Sequence, residues 1–193
     1  MNLIPLNQLA ELRLGYPFKS RLESSANASV RVIQMRDLDA DCGIAPADLV
    51  GVNEYPTSKH YVRQGDALFR NRSKRLFDAT LIDIELDSVI AASPLIILTP
   101  NQQKVLPGYL NWFLNQEQAQ NYFQSNATGS AVRMVGKKAL GELPVRLPSL
   151  ARQTSIVQLA VLTAKEQKIL KQISRKRKQC MEGILMQLAS GSQ

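Results

Sequence analysis

Four cations fall within six residues at Arg70-Asn71-Arg72-Ser73-Lys74-Arg75, and this run carries the most explicit binding chemistry in the chain. An arginine guanidinium can bridge guanine O6 and N7, an asparagine amide can read adenine N6 and N7, and lysine and serine can hold phosphates. The same run also suits a solvated turn between strands, and the residues alone leave both readings open. Lys19, Ser20 and Arg21, which follow Gly15-Tyr16-Pro17-Phe18, make a similar basic-polar step. Lys59 beside His60 is a weaker candidate. Arg133, Lys137 and Lys138 carry charge that phosphates accept, although Lys137-Lys138 equally suits a helix cap.

Catalytic signals are poor by contrast. Amino-methyltransferases hold the target base with an Asn/Asp/Ser-Pro-Pro-aromatic loop; Ser93-Pro94-Leu95 approaches this and fails at the second proline. No G-x-G-x-x-G occurs, so no S-adenosylmethionine loop is visible. Asp83, Glu85 and Asp87 alternate in a way a Mg²⁺-dependent nuclease would use, but a solvated strand face explains them as well. Glu166-Gln167-Lys168 imitates a nuclease fragment and has no partner carboxylate. His60 has no serine or cysteine nucleophile motif near it and reads as a surface or turn residue. It is also the only histidine, and Cys42 and Cys180 lie far apart without a CxxC, so a four-ligand zinc site is not expected. Two free thiols are expected in a reducing compartment. No enzyme and no resident cofactor are expected.

The elements that must position these residues divide unevenly. With 45% hydrophobic and 21% charged residues, the 193-residue chain has the composition of a folded protein, large enough for one domain and an appendage. Residues 30–35 and 80–86 alternate at period two and predict strands; residues 95–98, closed by Pro100, predict a fully buried one. Gly65-Asp66 predicts a turn into a strand at Ala67-Leu68-Phe69. Residues 2–14 fit a short helix or a strand with a turn. Apolar spacing over residues 109–123 predicts one helix, with Tyr109, Trp112, Phe113, Tyr122 and Phe123 mostly in the core. Short strands are expected at 132–135 and 143–145, around a turn or helix at 137–140. The N-terminus lacks a basic region followed by a long apolar run, and the longest apolar stretch is far short of the ~20 residues needed to span a bilayer. Cytoplasm is the expected location.

After Pro148-Ser149 no proline appears, and Ser149 is a good N-cap. Ile156, Leu159, Leu162, Ile169, Ile173, Cys180, Ile184 and Leu188 recur at spacings of three, four or seven, which predicts an amphipathic helix about 60 Å long at ~1.5 Å per residue. A stripe of that length needs a second helix to cover it, and self-association is the natural inference. The charge balance moves here too: residues 151–193 hold eight of the 24 Lys and Arg but only two of the 16 Asp and Glu. Lys165, Lys168, Lys171 and the run Arg175-Lys176-Arg177-Lys178 crowd one segment. They suit DNA phosphates or an acidic protein surface equally. The net charge of +8 points to a polyanionic partner, as it does for ribosomal, membrane-surface and DNA-binding proteins alike.

In order along the chain, Leu9-Ala10-Glu11-Leu12 with Gly15-Tyr16-Pro17-Phe18-Lys19-Ser20, then Gly65-Asp66-Ala67-Leu68-Phe69-Arg70, then Ala91-Ala92-Ser93-Pro94-Leu95-Ile96-Ile97-Leu98, resemble the specificity subunits of type I restriction-modification systems. So do Gly108-Tyr109-Leu110-Asn111-Trp112-Phe113-Leu114-Asn115 and Gln120-Asn121-Tyr122-Phe123. The strongest stretch is Gly129-Ser130, Lys138-Ala139-Leu140-Gly141-Glu142-Leu143-Pro144-Val145, Leu147-Pro148-Ser149-Leu150, and Gln153 with Ile156, leading directly into the long helix. Such subunits resemble two tandem units, each a recognition domain plus a spacer helix; this chain resembles one of them.

The resemblance implies an α+β fold: a target-recognition DNA-binding domain over residues 1–148 and a dimerisation or spacer helix over 149–193, pairing as an antiparallel coiled coil. It favours DNA contact for the basic run at 70–75. It implies double-stranded DNA and adenine methyltransferase subunits as partners, a translocating restriction subunit through those, and a role in phage defence. S-adenosylmethionine, ATP and Mg are then expected only on partner subunits. A homodimer or a pairing with another half subunit would restore the two-unit form, and a two-fold dimer implies an interrupted palindromic target. A stand-alone DNA-binding regulator and a helical scaffold protein are the alternatives.

Overall fold

A computed structural model describes residues 3–20, 22–25, 27–38, 44–54, 56–73 and 76–191. Strands β1 (Leu3–Pro5), β2 (Ala10–Leu14), β3 (Val30–Ile33), β4 (Val50–Val52), β5 (Ala67–Arg70), β6 (Arg72–Ser73), β7 (Ala79–Leu81), β8 (Val89–Ala91) and β9 (Leu95–Pro100) come first. Helices α1 (Pro107–Leu114) and α2 (Glu117–Asn126) follow, then β10 (Arg133–Met134), α3 (Lys137–Gly141), β11 (Pro144–Arg146) and α4 (Leu150–Ala189). The chain forms two compact units, residues 1–154 and 155–193.

The first unit is built on a four-stranded antiparallel sheet in the order β2-β9-β5-β7 and a three-stranded sheet in the order β4-β3-β8. In the second, β3 pairs antiparallel with β4 and parallel with β8. Alternation in β5 and β9 sends side chains to opposite faces. Leu68 and Ile97 meet Ile33, Val89 and Ala91 of the smaller sheet in one apolar core. Phe69 instead meets Phe77 and Phe123, with ring centroids 6.2 and 4.9 Å away, so the helical layer covers that face. Because β9 is buried on both sides, it reads as the continuous apolar run Leu95-Ile96-Ile97-Leu98. Gly15 lets β2 run tightly past β8: a Cβ there would stand 2.6 Å from the Ala92 carbonyl carbon.

Residues 2–14 resolve into β1 and β2 joined by a single turn of 3₁₀ helix at Leu6–Gln8. Two expectations need correction. Residues 80–86 are not one strand: β7 ends at Leu81, where Gly65 and Asp66 both face Ile82, whose N–H donates to the Asp66 carbonyl and whose carbonyl accepts from Gly65 N–H, each at 2.8 Å. Ile82 and Leu86 still dip into the core, so a loop reproduces the period-two pattern. Residues 109–123 are not one helix either. Asn115 leaves the helix to pair its side-chain amide with the Ala79 backbone, accepting at 3.1 Å and donating at 2.9 Å, and α2 restarts at Glu117. Gln120 does the same to Phe77. Two side-chain amides thus stand in for a missing neighbour strand at the β7 edge. Of the aromatics in these helices, Tyr109, Phe113 and Phe123 are buried, while Trp112 and Tyr122 are half-buried.

Within the first unit, the opening turn of α4 is held by Gln153, which is fully buried. Its Oε1 accepts from Leu106 N–H at 2.8 Å, and its Nε2 donates to the carbonyls of Lys104 and Pro148 at 3.1 and 2.9 Å. One glutamine therefore ties the start of α4 to the start of α1 and to the segment before itself.

Candidate nucleic-acid interface

Strand β6 pairs antiparallel with β10, setting Arg133 opposite Ser73 and Met134 opposite Arg72. The ribbon draws the basic run at 70–73 against the second basic segment, and Val135 N–H donates to the Asn71 carbonyl at 2.9 Å. Gly129, at φ +95°, makes the turn that lets Thr128 and Met134 bridge.

The nominated cations divide by what they already hold. Arg70 pairs with Asp78 at 3.6 Å; burial pushes the Asp78 carboxyl up, although Arg70 pulls it down. Arg133 donates through both terminal nitrogens to the side chain and carbonyl of Gln124 on α2. These two arginines brace the ribbon from inside. Arg72, Lys59, Lys137 and Lys138 are exposed, as are Lys19 and Ser20. Arg21, Lys74, Arg75 and Cys42 lie outside the described residues; Cys180 is a free, exposed thiol.

Lys59, Asn71 and Lys137, far apart in the sequence, line one open cleft of about 480 Å³ beside Glu11, Arg13 and Ser93. Ser20 lines a neighbouring depression that shares Pro17, Ser93 and Pro94 with it. Asn71 is 9% exposed, and its Oδ1 has no hydrogen-bond partner among the described residues. A buried acceptor without a partner is costly, and here it borders a cation-lined cleft. Asp83, Glu85 and Asp87 are exposed in the segment after β7, not on a strand face. The described residues hold no cluster of three or more metal-ligating side chains.

His60 corrects the expectation of a surface residue. It sits in a turn but is buried; its Nδ1 lies 3.1 Å from the Leu14 carbonyl, and its ring meets Tyr16 edge-on. Tyr16 in turn donates to Glu54 at 2.9 Å, and that bond, more than burial, raises the phenol.

Arg13 was missed in the sequence. It lies on β2, is largely buried, and pairs with Asp66 at 3.0 Å. It also donates to Thr99 Oγ1 at 2.8 Å and to the carbonyls of Lys59 and Tyr61. Arg13 thereby fixes the turn that presents Lys59 to the cleft. A lone arginine in an alternating strand gives no sequence signal of this kind, because its partners are 46 to 86 residues away.

The described residues thus combine a mixed α/β domain bearing an exposed cation-lined cleft with a 40-residue helix. No protein-family model matches the sequence, and no curated protein matches it. The fold does match solved structures. The HsdS subunit from Thermoanaerobacter tengcongensis is similar with a TM-score of 0.70 at 16% identity, over 97% of this chain and 48% of that one. The type I restriction-modification system S subunit from M. genitalium is similar with a TM-score of 0.57 at 13% identity, over 92% of this chain and 42% of that one. This chain thus spans about half the length of both, and at these identities the likeness is one of fold.

Proposed function

We propose that the chain is a DNA sequence-specificity subunit of a type I restriction-modification system, reading one half-site of a bipartite target and recruiting adenine methyltransferase subunits. The observation that carries this reading is the fold likeness to the HsdS subunit over 97% of the chain. The cleft adds to it, since three nominated residues converge there with open solvent in front of them. In this reading the chain carries no chemistry. S-adenosylmethionine, ATP and Mg belong to partner subunits, and a restriction subunit joins through the methyltransferase. The helix pairs with another helix so that two recognition domains act together. Among the described residues no helix is long and apolar enough to cross a membrane.

Co-expression with an adenine methyltransferase encoded beside the chain, followed by long-read mapping of methyladenine, tests the proposal. An interrupted motif that carries the mark only when the chain is present is the expected result. No mark, from a methyltransferase shown to be active, would turn the assignment towards a stand-alone regulator or a scaffold.

The cleft, with Arg72 on β6 next to its lining residue Asn71, gives a second expected result. Lys59→Ala, Arg72→Ala and Lys137→Ala together should weaken binding across all sequences alike. Each lost phosphate contact lowers the slope of log K against log salt by about 0.9, so the triple variant should lose roughly 2.7. An unchanged slope in a fluorescence-anisotropy salt titration would place the DNA elsewhere.

A further inference from the structure

On α4 the large apolar side chains are open to solvent: Leu162 is 63% exposed and Ile173 57%. Six of them recur with a period of eleven. Leu159, Leu170 and Met181 are each eleven residues apart, as are Leu162, Ile173 and Ile184. Eleven residues in three turns is about 3.67 per turn, and at that period these six fall on a single stripe. Two charged residues occupy the third line of the same stripe: Glu166 and Arg177, again eleven apart. The next step of the line reaches Leu188. The other cations of this segment, Lys165, Lys168, Lys171, Arg175, Lys176 and Lys178, project on the opposite half of the helix at ~100° per residue.

From Leu159 to Ile184 the stripe reads the same from either end. Reversed about the point between Lys171 and Gln172, Leu159 falls on Ile184, Leu162 on Met181, and Leu170 on Ile173. Glu166 falls on Arg177. A helix whose only charges within its apolar stripe are opposite in sign, and exchange places on reversal, is complementary to an antiparallel copy of itself. A different partner helix would not require that symmetry.

We propose that α4 docks on α4 of a second copy, antiparallel, with its centre between Lys171 and Gln172 and with Glu166 of each copy paired to Arg177 of the other. This deepens the helix pairing proposed above, and its use in DNA recognition rests on that reading: the partner is identical, and the register is set by two ion pairs. A slip by one turn would set Glu166 or Arg177 against an apolar side chain, leaving a desolvated charge without its counter-ion. Polar residues inside an otherwise apolar seam commonly set register in this way.

Sedimentation equilibrium on the full chain, without DNA or methyltransferase, tests the docking by itself. The unaltered chain should dimerise. Glu166→Arg faces Arg177 with arginine, and Arg177→Glu faces Glu166 with glutamate, so each variant alone should associate at least ~100-fold more weakly. An equimolar mixture of the two restores both ion pairs and should form a heterodimer as tight as the original. The double variant, which swaps the two charges, should dimerise with itself. Recovery in the mixture separates a lost contact from a lost fold, and far-UV circular dichroism checks helix content. A monomeric unaltered chain, single variants that dimerise undiminished, or a mixture that stays monomeric would each overturn the proposal. Since no DNA is present, a failure of the specificity reading would leave these results standing, and the reverse is equally true.

Discussion

Asp66→Ala should cost the first unit about 3–5 kcal/mol of stability, a loss as large as truncating a buried aromatic of its core. Asp66 is 2% exposed. It accepts from Arg13 at 3.0 Å, from Thr99 Oγ1 at 2.6 Å and from Arg63 N–H at 3.0 Å. Truncation leaves the Arg13 guanidinium largely buried with only neutral acceptors, and leaves the Arg63 amide without its partner. Breaking a buried pair from one side is far costlier than replacing both members, since a desolvated charge remains. Against a total of roughly 5–15 kcal/mol, the loss is a large fraction. It should lower the melting temperature by about 6–20 °C, at ~2–4 °C per kcal/mol for a domain of this size. Scanning calorimetry would measure it. Arg13→Met with Asp66→Leu should restore much of the loss, because that pair leaves no buried charge. A single-variant loss below ~1 kcal/mol would mean that the pair behaves as an exposed one.

That network marks the limit of what the sequence conveys. Periodic, locally determined features were legible: the apolar run that becomes β9, the Gly65-Asp66 turn ahead of β5 and the start of α4 each follow from neighbouring residues. Gly65, at φ +91°, is where a turn needs the left-handed region. What failed depends on distant partners. The alternation at 80–86 is shared by a strand and by a loop that sends Ile82 and Leu86 into the core. The break between α1 and α2 exists because Asn115 finds the Ala79 backbone, 36 residues away. Spacing alone gives Asn115 no reason to leave a helix.

The site shows the same division. Charge clusters were visible as candidates, but their separate employments were not. Arg70 and Arg72 are two residues apart, and one braces the ribbon while the other faces solvent. Only the pairing of β6 with β10 and the position of Asp78 distinguish them. The meeting of Lys59, Asn71 and Lys137 is likewise a product of sheet order, since three different segments supply them. The complementarity within α4 is the opposite case. It is written entirely in local spacing, and it becomes apparent once the apolar positions are counted in elevens instead of sevens.

On the specificity reading proposed above, shortening α4 by eleven residues should shorten the unread centre of the DNA target by about five base pairs and leave both half-sites unchanged. In an antiparallel pair, the length of each helix sets how far apart its two recognition domains lie. Eleven residues at ~1.5 Å each come to about 16 Å, and base pairs stack at ~3.4 Å. Deleting residues 167–177 joins Glu166 to Lys178 and keeps the three-four-four spacing, so Met181, Ile184 and Leu188 continue the stripe without a phase change. It also brings Glu166 opposite its own copy, so Glu166→Leu must accompany the deletion to avoid two apposed carboxylates. With both changes the stripe is again symmetric and wholly apolar at its centre. Methyladenine mapping in the presence of the methyltransferase reads the result directly. A spacer shorter by about five base pairs, between the same half-sites, would establish the helix as the ruler. An unchanged spacer would refute it, because the shortened stripes cannot pair over their full length and still hold the domains at their original separation. A changed half-site would locate base recognition partly on the helix.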